Sequence, residues 1–221
     1  SVTAWIFGLE IAKEGWYSAI MAPIFVASAC DSGLALLMVV LAAVRKAGVF
    51  DCGRELFANL ARLLATFIAV DAFFIGCELL TTAYPGTEGA SHVLGIMTSG
   101  ATAPFFWFEI LGGLLIPFVL LASAKRRERT GVVVAASALV MCGVFCKRVW
   151  LLFTSFTVTN VYGAPGISSG STAARGADGF DMWALAGSYM PQPVEFAVVA
   201  AVVSFCILGI ALLSKKLVAK A

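Results

Sequence analysis

Five long apolar runs, each closed by charge, proline or glycine, set the pattern of this chain. The first extends from about Trp16 to Val44 and stops at Arg45-Lys46. The second covers about Leu56 to Thr82 and breaks at Tyr84-Pro85-Gly86, where neither proline nor glycine continues a helix. After a polar loop carrying Glu88 and His92, the third runs from about Thr102 to Ala124 and ends in Lys125-Arg126-Arg127-Glu128-Arg129. The fourth covers about Gly131 to Phe156, and a Gly/Ser-rich loop follows from Thr157 to about Gly187. The fifth runs from about Val194 to Leu213 before Lys215, Lys216 and Lys220. Each run reaches the roughly 20 residues that a helix needs to cross about 30 Å of hydrocarbon. The pattern predicts an all-α, polytopic transmembrane helical bundle of about five spans, forming a single membrane domain over residues 1–221.

Composition agrees with that reading. Apolar residues make up 61% of the chain and charged residues 13%, with a mean hydropathy of +0.96, against about 45–50% and about 25% in soluble domains. A net charge of +2 with no basic stripe excludes a nucleic-acid partner; membrane lipid is the surrounding medium. Residues Ser1 to Lys13 are apolar but lack a basic n-region and a small-residue cleavage site, so they read as the end of an earlier segment of a longer chain rather than a signal peptide. Arg45, Lys46 and Arg54, then Lys125 to Arg129, then Lys215, Lys216 and Lys220 all fall on one side of the span pattern. Because cytoplasmic loops carry the Lys and Arg excess, the N-terminal end is expected outside and the C-terminus in the cytoplasm. The aromatics Trp16, Tyr17, Tyr84, Tyr162, Trp183 and Tyr189 fall near the outer ends, where an interfacial belt belongs.

Several chemistries are excluded by what the sequence lacks. Haem in a membrane anchor needs axial ligands, usually paired histidines, and this chain has one His, His92. The six cysteines form no C-x-x-C pair of the kind that holds zinc or an iron-sulfur cluster, although Cys142 and Cys146 share a helical face. The glycine-rich stretch from Gly163 to Gly179 has neither the preceding strand nor the Gly-Lys-Ser/Thr ending of a phosphate loop. No haem, metal or catalytic residue is therefore expected within this chain.

The ionisable residues inside the spans carry the candidate chemistry, since each costs at least about 2.5–3.5 kcal/mol to insert. Asp31 and Asp71 fall near the middles of the first two spans, with no cation expected at their depth. Glu78, Glu109 and Arg148 each lie roughly 7–14 Å below an outer helix end, at a shared depth where they can pair, with Lys147 beside Arg148. Asp71 and Glu78 are two turns apart on one helical face, the alignment of a proton relay. Asp31, Asp71, Glu78 and Glu109 are thus candidate proton sites, with Lys147 and Arg148 as counter-charges. The competing reading is a structural ion-pair cluster that holds the bundle together.

Three stretches together resemble the NrfD/PsrC family of membrane subunits. Pro104-Phe105-Phe106-Trp107-Phe108-Glu109, followed by Gly112-Gly113 and Pro117, resembles its aromatic, Glu, Gly, Pro pattern. Arg148, after the apolar run containing Gly143, resembles the following helix, and Tyr189-Met190-Pro191 with Glu195 resembles the approach to its last span. Gln192-Pro193 departs from the family's Ser-containing pattern there, and Trp16 to Gly33 is a weaker match. The resemblance implies the second four-helix bundle of the NrfD-like fold plus one preceding helix. It further implies a bacterial inner-membrane subunit of a respiratory oxidoreductase complex that exchanges electrons between quinone (menaquinone or ubiquinone) and a ferredoxin-like iron-sulfur partner. A molybdenum enzyme or multihaem cytochrome would stand beyond that partner, and proton translocation would accompany turnover. Trp16 and Tyr17 are then the candidates for contacting a quinone headgroup. The alternative is a proton- or cation-coupled transporter or channel component, hinted at by Gly112-Gly113 and Pro117.

Overall fold

The computed structural model describes residues 2–10, 15–48, 53–156 and 192–218. The expected Thr157 to Gly187 loop, the belt residues Tyr162, Trp183 and Tyr189, and Lys13 and Lys220 lie outside the described residues. The described chain is helical: α1 (Val2–Leu9), α2 (Met21–Lys46), α3 (Arg54–Ala83), α4 (Glu88–Ser99), α5 (Ala103–Trp107), a π-helical stretch (Phe108–Leu115), α6 (Ile116–Ala122), α7 (Ala124–Arg127), α8 (Thr130–Phe156) and α9 (Pro193–Val218). Five helical stretches among the described residues are long and apolar enough to cross a membrane: Met21–Lys46, Arg54–Ala83, Ala103–Ala122, Thr130–Ser155 and Pro193–Leu213. The protein is a multi-pass integral membrane protein, as the apolar runs predict.

The first four spans close into a ring. Helix α2 packs on α3 and α8, while the third span, built from α5, the π-helical stretch and α6, packs on α8 and α3. Apolar side chains outside the ring, such as Leu37, Phe73, Val119 and Phe145, are exposed, which in hydrocarbon is their favourable environment. Helix α9 is exposed along its apolar length, with Val194, Phe205 and Leu212 all more than half accessible. Inside the ring, a core of Ala35, Met38, Phe57, Ala61, Leu64 and Val133, among others, fills the end nearest the basic loops. A second core of Ala4, Met21, Ala22, Phe25 and Leu151 fills the opposite end, where α1 packs on α2.

Two local features depart from the sequence reading. The first span begins at Met21 rather than near Trp16, because residues 15–20 form a turn in which Gly15 adopts φ +86. A Cβ at Gly15 would also lie 2.9 Å from Ser155 Oγ, so the turn sits hard against the end of α8. The segment read as a polar loop around His92 is instead helix α4. The Thr87 hydroxyl caps it by accepting from the Ala90 N–H, and Ala90, Val93 and Met97 are buried while His92 faces out.

The third span changes helical form in the middle. Pro117 has no N–H to donate, and its ring crowds the carbonyl four residues back, that of Gly113. The preceding stretch widens to a π-helix, with Ile116 N–H donating to the carbonyl of Leu111, five residues earlier. Across from it, α8 comes in so close that a Cβ on Gly113 would lie 2.6 Å from the Gly143 Cα. Glycine at both positions is what permits this approach.

Candidate functional site

Each long helix carries its intramembrane charge on the stripe that faces the ring interior. On α2 the buried positions Ile24, Ser28, Asp31, Ala35 and Met38 follow helical spacing; on α3 they are Leu64, Ile68, Asp71 and Ile75. On α8 the buried stripe runs through Val133, Ala136, Val140, Lys147 and Leu151. The stripes converge between the two apolar cores, and the π-helical stretch adds Glu109. Asp31, Asp71, Glu109 and Lys147 are each no more than 2% exposed. Counted along the helices at 1.5 Å per residue, they stand about 20–25 Å from the basic end.

Lys147 is the hub. Its Nζ donates to Asp71 Oδ2 at 2.5 Å and stands 3.1 Å from Glu109 Oε1, close enough to pair but off the line of a hydrogen bond. Glu109 Oε2 accepts the indole N–H of Trp150. The expectation that Asp71 has no cation at its depth is therefore corrected: Lys147 reaches it directly. The expected pairing of Glu109 with Arg148 is corrected too. One residue along a helix turns a side chain by about 100°, so Lys147 points inward while half-buried Arg148 lies over the Phe25 ring, 4.1 Å from its centroid. Asp31 stands within electrostatic reach of Asp71 and Lys147, yet neither of its oxygens, nor Asp71 Oδ1, has a hydrogen-bond partner among the described residues.

Glu78 does not join this cluster. It lies two turns beyond Asp71 on α3, where the Ser18 hydroxyl donates to its carboxylate at 2.5 Å. The Ser18–Glu78 pair lines a cavity of about 370 Å³, open toward the end away from the basic loops, with Tyr17, Ile20, Thr82 and Thr87 among its walls. A smaller cavity of about 40 Å³ shares Gly15, Glu78, Thr82 and Val93 with it and reaches inward to Lys147 and Trp150. Ser18, Thr82 and Trp150 carry no signal of their own in the sequence, because their roles depend on which residues other helices bring to them.

The two aromatic candidates separate. Tyr17 is about half exposed in the cavity wall. Trp16 is 7% exposed, donates its indole N–H to the Leu151 carbonyl at 3.1 Å and packs edge-on against Phe7. Among the described residues, no group of three or more His, Cys, Asp or Glu side chains is arranged to hold a metal ion. Cys142 and Cys146 are free thiols on α8, Cys142 exposed.

Fold and site together define a multi-pass helical membrane protein that carries a fully buried, one-cation, three-carboxyl cluster inside a ring of spans. Residues 1–160 match the family described as polysulphide reductase, NrfD, and the chain belongs to that family. The chain is 35% identical over 205 residues to a dimethyl sulfoxide reductase membrane subunit, so designated, from Halobacterium salinarum, covering 92% of this chain and 46% of that one. It is 28% identical over 176 residues to a selenate reductase subunit from Mesobacillus selenatarsenatis, covering 78% and 39%. It is also 26% identical over 153 residues to the Hdr-like menaquinol oxidoreductase integral membrane subunit of Archaeoglobus fulgidus, covering 69% and 39%. The chain thus spans less than half the length of these relatives.

Proposed function

We propose that this chain is the quinone-interacting integral membrane subunit of a respiratory oxidoreductase complex, exchanging electrons with an iron-sulfur partner while its buried carboxyls handle the accompanying protons. The observation that carries the reading is the Asp71–Lys147–Glu109 centre, buried at hydrocarbon depth and joined by cavities to one face through Glu78. Intramembrane charge of this kind is costly to insert, and proton relays are one of its recognised uses. Family membership and a relative named as a menaquinol oxidoreductase subunit support the redox side. A molybdenum enzyme or multihaem cytochrome completes the complex in this reading. The chain lies in a bacterial inner membrane, with its basic loops cytoplasmic and the larger cavity facing out.

The cavity's residues fit a quinone headgroup. Its volume of about 370 Å³ falls within the roughly 300–1,000 Å³ of small-molecule pockets. Its walls combine apolar Ile20 and Val93 with the Tyr17, Ser18 and Thr82 hydroxyls and the Glu78 carboxylate. Quinone, when bound, supplies two-electron, two-proton redox chemistry. Tyr17 would orient a ring oxygen, and Glu78, held by the Ser18 hydroxyl, would take or return a proton at its carboxylate. Trp16, committed to the Leu151 carbonyl, would brace the wall behind Tyr17.

A transporter or channel component is the second reading, favoured by the π-helical stretch inside the third span. Against it, that span stays helical from Ala103 to Ala122, and the packed layer of Met38, Phe57, Leu64 and Val133 separates the charged centre from the basic loops. Asp71→Asn tests the proposed function, because Asn keeps the shape and an oxygen for Lys147, whose charge Glu109 still balances, but cannot exchange a proton. Assembly should be intact, with quinol-linked turnover in the complex reduced. Turnover and proton movement equal to the wild type would make Asp71 a packing residue.

A further inference from the structure

Three buried carboxyls share one fully buried cation inside the ring. Lys147 holds Asp71 and Glu109, and Arg148, resting on Phe25, lies within electrostatic reach of Asp71. Lys147 and, from farther off, Arg148 are the cations available to Asp71 and Glu109, and Asp31 is left over. It is fully buried, faces Asp71 and Lys147, and has no hydrogen-bond partner among the described residues. Burying an ion without compensation costs several kcal/mol even after relaxation, so a carboxyl placed this way holds a proton instead. The neutral acid has an O–H to donate, and neighbouring Asp71 carries an acceptor, Oδ1, without another partner among the described residues.

We propose that Asp31 and Asp71 share one stored proton, resting on Asp31, which exchanges with the cavity side of the membrane through Glu78 and is closed off from the basic side. In the transfer step the Asp31 O–H bond breaks and an O–H bond to Asp71 Oδ1 forms. The negative charge moves to Asp31, and Lys147 keeps Glu109 as its carboxylate partner while its hold on the neutralised Asp71 loosens. Lys147 is thus the gate between the pair and the small cavity, whose wall it forms with Glu78 and Trp150. At about 40 Å³ that cavity has room for roughly three or four waters, each needing roughly 10–15 Å³. On the other side, Ala35 and Met38, the next turns of α2, are fully buried in the apolar core. The inference rests on the proton-handling reading proposed above and adds to it the holder, the gate and the side of access.

Infrared spectroscopy of the intact protein, with whatever subunits accompany it, reads a carboxylic acid through its C=O stretch, which an ionised carboxylate lacks. At neutral pH a protonated-aspartate band is expected, identified without any substitution by its shift when aspartate is labelled with ¹³C at the side-chain carboxyl. Asp31→Asn should remove it. Glu78→Gln should keep the band but slow its shift in D₂O on the order of a hundredfold, the lower end of what a positioned proton-transfer group supplies. A labelled protein with no aspartate band overturns the proposal, as does a band that survives Asp31→Asn. A D₂O shift at the wild-type rate in Glu78→Gln overturns the access route. Should Asp31→Asn fail to fold, the labelled wild type and Glu78→Gln still decide the matter. A band present in a complex without quinol-linked turnover would uphold the stored proton and reject the quinone reading, so the two can fail separately.

Discussion

Lys147→Met removes the one ammonium that faces two buried carboxylates while keeping most of the side chain's apolar volume. Asp71 and Glu109 would then confront each other at hydrocarbon depth, Glu109 with the Trp150 N–H and Asp71 with nothing but distant Arg148. Removing one partner of a buried ion pair costs about 3–5 kcal/mol. Two pairs are broken here, but a carboxyl can take a proton, so the loss should stay near that range instead of doubling. The neighbouring change, Arg148→Met, gives up a cation resting on Phe25, worth about 0.5–2 kcal/mol. Unfolding in mixed micelles with rising SDS measures both. Lys147→Met should be the more destabilised, should recover partly as the pH falls and the carboxyls protonate, and should be rescued in part by adding Asp71→Asn. If the two single variants unfold alike, or if the double variant simply adds the two losses, Lys147 is not the hub described above.

Gly113→Ala should separate the third span from α8, because its new Cβ has only the Gly143 backbone to meet; overpacking of this kind costs about 1–3 kcal/mol in the same unfolding assay. Gly112→Ala, which meets the Phe108 ring at 3.3 Å, should be milder, and the reverse order would refute the close approach. For topology, a cysteine replacing Arg127 should be labelled only from the cytoplasmic side and one replacing exposed Tyr84 only from outside. Exchanged accessibility would invert the proposed orientation.

The spans are legible because hydrocarbon imposes a length and a composition that sequence displays directly. Helix α4 escapes such a reading because it is short and polar, though the Thr87 cap and the helical spacing of Ala90, Val93 and Met97 are its signature. The site is legible in its members and not in its pairings. Depth along a span follows from counting residues, which places Glu109 and the Lys147-Arg148 pair at one level, whereas Asp71, read as lying nearer mid-span without a cation, proves to be within direct reach of Lys147. Which cation points inward is set by helix rotation, and adjacent residues differ by about 100°. One clue is available: Lys147 continues the stripe of Val133, Ala136, Val140 and Gly143, whose glycine lets α8 approach the third span, whereas Arg148 lies one step off it. Ser18 is unreadable as a partner of Glu78, because it lies 60 residues away in a turn.

The central claim, that this chain belongs to a quinone-linked redox complex, is tested most directly by purifying it from native membranes and following its partners' clusters by electron paramagnetic resonance. An iron-sulfur protein should accompany the chain, and its cluster signal should change on adding a quinol, with Glu78→Gln slowing that change. A chain that purifies with no iron-sulfur protein, or with clusters indifferent to quinol, would contradict the account.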